Sequence, residues 1–320
     1  MDNLDVHSHI FPNELISKLG LHLNSAGQLY TLKVDGKVIG PLPKGFFNLE
    51  SRISELQDCG IVRQIISPTH HLFMYMENAK VAQRFARNQN EAIAEICKKQ
   101  SDKFVGNGTL PLQDVKFSLE ELDHLYHTLE LRGIEIGTNV AGRNLDDEAL
   151  TPVYERLQEL GIPILVHPND ILAPDRMKKY YLPIALGTLA ETDLAVASVL
   201  FGGILERFPK LKFIFCHGGG TIPYQVGRIK RAADVREEIT RKDAVQKHFS
   251  KLYFDTVLFD EGALKFFISR VGSERAVFGT DYPFNLGTWD AVSRMINLDL
   301  DNESKKKVML SNATELYKLK

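Results

Sequence analysis

The chain is poor in cysteine. Its 320 residues hold only Cys59, Cys97 and Cys216, too few and too scattered for a disulfide framework, and no CxxC spacing suggests a redox pair or a zinc ribbon. A reducing, cytoplasmic location is the expectation. An excess of either charge is also lacking: 39 Lys and Arg stand against 41 Asp and Glu, a formal net charge of −2, which gives no basic face for nucleic acid or an acidic membrane surface. No apolar run approaches the roughly 20 residues of a membrane span. At the N-terminus Asp2 and Asp5 occupy what would be the basic end of a signal peptide, and His7, Ser8 and His9 interrupt the apolar stretch. Internal repeats, low-complexity tracts and Pro/Gly/Ser linkers are missing as well. What remains is ordinary globular composition, 44% hydrophobic and 25% charged, in what reads as one large domain.

Short apolar β-type runs alternate with longer amphipathic segments along the whole chain, the rhythm of βα units around a parallel sheet. Eight strands are expected, at residues 4–6, 62–67, 104–110, 133–136, 162–166, 212–216, 252–255 and 276–279. Helices are expected at 49–58, 77–99, 119–131, 150–160, 192–207, 222–236 and 261–271, with a closing helix at 304–319. Leu119, Leu122, Leu125 and Leu129 show the spacing of a helix with one buried face. Eight units at this length point to a (β/α)₈ barrel, in which chemistry sits at the C-terminal ends of the strands; a doubly wound open sheet is the alternative. Residues 21–47 depart from the rhythm. There Val34 to Val38 (VDGKV) reads as two short strands joined by an Asp-Gly turn, a small inserted hairpin near the barrel mouth.

Ionisable residues gather where strands should stop. His7 and His9 follow the first strand, and alternation in an extended chain puts both on one side, able to grip one metal ion. The fifth strand delivers His167 from the apolar run Pro163 to Val166, where an unpaired polar side chain inside the barrel would be costly. The sixth ends in His217 and the eighth in Asp281. Each alone suits a capping, turn or core role, but their joint occurrence at C-terminal strand ends argues for a shared site. Three imidazoles and a carboxylate (His7, His9, His167, Asp281) suit one divalent ion, with zinc expected and manganese or cobalt as alternatives. His217 is then free for proton transfer. His70 and His71 follow the second strand and would contact substrate or solvent. Asp255 and Glu191 are candidates to orient a ligand imidazole or to make buried structural hydrogen bonds.

These residues carry a resemblance to the amidohydrolase superfamily, and within it to the metal-dependent decarboxylases related to 2-amino-3-carboxymuconate 6-semialdehyde decarboxylase. It rests on residues 6–12 (VHSHIFP), 106–111 (GNGTLP), 133–138 (GIEIGT), 166–168 (VHP), 208–212 (FPKLK), 215–220 (FCHGGG) and 279–284 (GTDYPF), and runs almost end to end. The resemblance implies a single divalent ion on His7, His9, His167 and Asp281, a metal-bound water, and His217 as the acid/base. It further implies a homodimer in which Arg228, of the segment Tyr224 to Ile229, reaches the neighbouring subunit's site to hold a carboxylate of a small unsaturated or aromatic acid. The superfamily's bridging lysine on strand four has no counterpart here, since Glu135 stands in that strand; a mononuclear site follows. A metal-dependent hydrolase or hydratase acting on a ring-fission product is the alternative activity.

The match departs from the muconate-semialdehyde enzyme in substrate recognition. Gly40 stands where that enzyme has a second carboxylate-binding arginine, and Ile184 and Asn169 stand at tryptophan positions. Lys44 or Arg52 would be the nearby cations to restore the charge, and both otherwise read as solvated side chains.

Overall fold

The computed structural model describes residues 1–26, 29–34 and 37–319. Eight parallel strands form its centre: β1 (Leu4–Asp5), β2 (Arg63–Pro68), β3 (Phe104–Gly108), β4 (Gly133–Gly137), β5 (Pro163–His167), β6 (Lys212–Phe215), β7 (Tyr253–Asp255) and β8 (Ala276–Val277). Each pairs with the next in chain order, with helices between them, as a (β/α)₈ barrel requires. The ring closes just beyond the short ends of β1 and β8. The Val6 N–H donates to Phe278 O at 2.9 Å, the Asp281 N–H to His7 O at 2.8 Å and the His9 N–H to Tyr282 O at 2.7 Å.

Alternation along the strands sorts the side chains into two layers. Ile164, Val166, Phe213 and Phe215 pack outward in the large cluster under the helices, while Leu165, Ile214 and Cys216 turn inward with Leu4, Val6, Ile65 and Val277. Ala313, Leu316 and Tyr317 of the C-terminal segment join that inner cluster and close the barrel floor. His167 continues the inward set at the far end of β5.

Several boundaries differ from the expected ones for identifiable reasons. The helix placed at 119–131 runs Val115–His127, because Asp114 caps it by accepting from the Phe117 N–H at 2.9 Å; Leu122 and Leu125 are nonetheless fully buried. The helix placed at 192–207 is two, Thr188–Phe201 and Ile204–Arg207, parted at Gly203, whose φ of 71° is open to glycine at little strain. A helix at Ala291–Asn297 was not expected, and the closing helix begins at Asn302 and ends at Leu316 through a π-helical stretch. The inserted hairpin gains a third strand: His22–Ala26, Leu29–Val34 and Lys37–Pro43 form an antiparallel sheet. The Asp35-Gly36 turn lies outside the described residues. Pro183–Phe201 is, against expectation, long and apolar enough by composition to cross a membrane; here it packs Ala195, Val196, Val199 and Leu200 into the core.

Lys44 is exposed, but Arg52, expected in solvent, is fully buried in the helix Leu49–Asp58. Its guanidinium donates to Gln64 Oε1 at 2.6 and 2.9 Å, to His9 O at 2.7 Å and to Ser8 Oγ at 2.8 Å, and lies over the Tyr282 ring at 4.6 Å. Gln64 passes the connection on, donating to Asp5 Oδ2 at 2.6 Å, and the Thr280 hydroxyl donates to that same oxygen at 2.6 Å. This chain of polar contacts ties β1, β2 and the segment after β8 together beneath His7 and His9. Arg52→Met should destabilise the fold by about 3 kcal/mol, the order expected when one member of a buried charged network is removed. Urea unfolding should register it as a fall in midpoint.

Candidate metal and catalytic centre

Each candidate ligand leaves a strand at the barrel's C-terminal end. Asp5 pairs with Gln64 and His9 with Ser67, so the segment holding His7 spends one more residue than its partner and bulges. The bulge points both imidazoles inward, with Nε2 atoms 3.2 Å apart. His167 ends β5. Asp281 follows β8 in a left-handed conformation, φ 62°, and His217 follows β6 at φ 55°. Both conformations are strained for residues other than glycine, and surrounding contacts hold them. Gly219 accompanies His217 at φ 73°, where a Cβ would come within 2.3 Å of Phe254.

The hydrogen bonds on the far side of each ring decide what the near side offers. His7 Nδ1 meets Asp255 Oδ2 at 2.6 Å, His9 Nδ1 meets Pro68 O at 3.3 Å and His167 Nδ1 meets Pro168 O at 2.9 Å. All three partners are acceptors, so Nδ1 is the donor in each ring and Nε2 is the nitrogen left to face the centre. Asp281 Oδ1 lies 3.2 Å from His7 Nε2 and 3.3 Å from His9 Nε2. Neither that oxygen nor His167 Nε2 has a hydrogen-bond partner, although both are buried. Converging lone pairs without donors are unfavourable unless a cation sits among them. The donor set thus fits a divalent metal ion, which His7, His9, His167 and Asp281 could hold, with His217 close to the same cluster.

The electrostatics point the same way. Burial alone would raise Asp281, yet the imidazoles of His7, His217 and His9 around it hold its carboxyl well below the usual range. Burial alone would lower His7, but Cys216 and the carboxylates Asp281 and Asp255 hold it well above the ordinary imidazole value. The site therefore attracts positive charge. His167 is driven well below its ordinary value by burial and then by its histidine neighbours, which keeps its lone pair available.

Asp255 does what was expected of it, gripping His7 while its Oδ1 accepts from the Gly218 N–H at 2.8 Å and the Val257 N–H at 3.1 Å. Glu191 takes the structural role that was the other expectation: it accepts from Asn139 Nδ2 at 3.1 Å and Thr138 Oγ1 at 3.4 Å, which ties loops together above β4. Glu135 is fully buried with its Oε1 3.6 Å from His9 Nδ1, and burial pushes its carboxyl well above the usual range. His217 places its Nε2 3.5 Å from Asp281 Oδ2. His70 stacks on His167 with centroids 4.4 Å apart and on His71 at 4.0 Å. Arg228 is exposed on the helix Ile222–Val235, outside this cluster. Sequence reasoning missed Gln64, Thr280 and the cavity residues Phe73, Met74 and Asn139; a polar Gln64 immediately ahead of the apolar pair Ile65 and Ile66 was the available signal for the first.

Asp255→Asn removes the charge that orients His7 while keeping its shape. We expect metal affinity to fall about 10- to 100-fold, measured by competition with a chromogenic chelator, with the fold retained by circular dichroism.

Comparison with known proteins shows the family of the chain and its likeness of fold. The amidohydrolase family model matches residues 4–319. The 2-amino-3-carboxymuconate-6-semialdehyde decarboxylase of Dictyostelium discoideum is 34% identical, over 89% of this chain and 82% of its own length. The apo structure of Metarhizium anisopliae IDCase superposes with a TM-score of 0.85 at 26% identity, covering 99% of this chain and 97% of that one. A dihydroxybenzoic acid decarboxylase from Polaromonas sp. JS666, solved with bound manganese and the inhibitor 2-nitroresorcinol, superposes with a TM-score of 0.82 at 22% identity, over 99% and 97% of the two chains, a likeness of fold. With the family model spanning nearly its whole length, this chain belongs to the amidohydrolase family.

Proposed function

We propose that the protein is a metal-dependent decarboxylase, a carbon-carbon lyase acting on a small unsaturated or aromatic carboxylic acid. The observation that carries this reading is the convergence of three Nε2 lone pairs and the Asp281 carboxylate, with His217 Nε2 3.5 Å from Asp281 Oδ2. The names of the relatives above, decarboxylases of related acids, support it. One divalent ion is assigned to His7, His9, His167 and Asp281; zinc suits the donors, as do manganese and cobalt. When bound, such an ion supplies Lewis-acid polarisation of a substrate oxygen.

Decarboxylation exchanges a carbon-carbon bond for a carbon-hydrogen bond. A proton adds to the carbon bearing the carboxylate, the electron pair of the breaking bond returns to the unsaturated system, and carbon dioxide leaves. His217 is the group suited to deliver that proton. It is not needed to hold the ion, its Nε2 can exchange a proton with Asp281 Oδ2, and an imidazole works as acid and base near neutral pH. His70 and His71 are assigned as substrate contacts because both line the cavity beside the centre. Arg228 is assigned to the site of a second subunit in a homodimer, and its exposure on the helix Ile222–Val235 suits that reach. A cytoplasmic location belongs to the same reading, in keeping with three free cysteines.

The test is metal content together with carbon dioxide release on a panel of hydroxybenzoic and muconic-type acids. About one divalent ion per chain with carbon dioxide evolved supports the reading. An ion without carbon dioxide moves the activity to hydration or hydrolysis, and a chain that binds no metal undoes the ligand set. His217→Ala should keep near wild-type metal content and lose turnover by roughly 10²- to 10⁴-fold, whereas Asp281→Ala should lose metal and turnover together. A fully active His217→Ala variant would remove the acid/base assignment.

A further inference from the structure

The cavity beside the ligand cluster has a volume of about 430 Å³, within the roughly 300–1,000 Å³ common for small-ligand sites. It adjoins the centre directly, since His70, stacked on His167, lines it, as do Pro168 and Asn169, the next residues of the chain. Its wall is largely apolar, built from Ile39, Phe73, Met74, Ile171 and Ile184. The acidic side chains that line it are Asp170 and Glu77, and among its described lining residues there is no lysine or arginine. Asp170 is held at the mouth by its Oδ1, which accepts from the Ile171 N–H at 2.8 Å.

We propose that this cavity selects acids with one carboxylate and a neutral, largely apolar ring end, and rejects those with a second carboxylate; the inference rests on the decarboxylase reading and narrows its substrate class. A carboxylate moved from water against this wall would lose its hydration with no cation of this chain to replace it, and the Asp170 charge would repel it. A hydroxyl or methyl substituent meets neither penalty, because the asparagine amides of Asn139 and Asn169 suit the first and the aliphatic wall the second. In the proposed dimer Arg228 contributes a single cation, which answers one carboxylate and leaves a second without a partner. Specificity thus arises as much from what the wall repels as from what it binds.

The experiment compares 2-hydroxy-3-methylbenzoate with 2-hydroxybenzene-1,3-dicarboxylate, which differ by a methyl against a carboxylate. Calorimetric titration of the Mn²⁺-loaded full chain gives the two dissociation constants, and carbon dioxide release gives turnover on the same preparations. We expect the monoacid to bind at least about tenfold more tightly, and Ile184→Arg to narrow that ratio by strengthening diacid binding. Ile184 is 37% exposed and outside the ligand set, so the substitution should leave the fold intact. Equal or tighter diacid binding, binding of neither acid, or an unchanged ratio in Ile184→Arg overturns the inference. Selective monoacid binding without carbon dioxide from either acid supports it while counting against decarboxylation, so the two ideas fail separately.

Discussion

The seam between the first and last strands is the constraint on which the rest of the structure depends. β1 and β8 are too short to close the barrel by themselves, and closure falls to the segments that follow them, through hydrogen bonds of Val6, His7 and His9 with Phe278, Asp281 and Tyr282. The same peptides carry three of the four candidate ligands. Closing the barrel and assembling the centre are one event, which explains why so costly a polar network lies beneath it. Arg52, Gln64, Asp5 and Thr280 lock the seam from below with both ends of the chain in hand, and a charge buried this completely persists only because every donor direction is met.

Above the seam the economy is reversed. Nδ1 atoms are satisfied by Asp255 and two backbone carbonyls, while Asp281 Oδ1 and His167 Nε2 are left without partners. The converging lone pairs suit a cation, and the left-handed backbone at His217 and Asp281 is strain of the kind that functional sites hold in place.

The barrel was legible because its apolar runs and helical periods agree along the chain, and the clustering of the candidate ligands because ionisable residues follow the ends of the barrel strands. Other features were hidden for physical reasons. The role of Arg52 depends on Gln64 and Ser8, partners met only once the barrel closes, and nothing local in its helix separates it from a solvated arginine. For Glu191 the chain left an orienting and a structural role open, and the loop that brings Asn139 and Thr138 to it decides for the structural one. The shift of the 115–127 helix came from a cap, Asp114, five residues before the leucine pattern that was read as its start. The third strand of the insertion, His22–Ala26, has mixed polarity and pairs along one edge, so alternation gave it little signal.

The division of labour between seam and loops also bears on how such a chain can change substrate. The ligands stand on strand ends whose positions closure fixes, and altering them would disturb both metal and fold. The cavity wall is drawn instead from the inserted sheet at Ile39, the turn after β2 at His70 to Met74, the loop after β5 at Asn169 to Ile171, and Ile184 ahead of the following helix. None of these makes a hydrogen bond across the seam. Ile184 and Asn169, two positions where the resemblance to the muconate-semialdehyde enzyme breaks down, both lie on this wall. Departures that in sequence read as changed substrate recognition therefore fall on the wall of the cavity beside the candidate centre, and not on the strand ends that closure fixes.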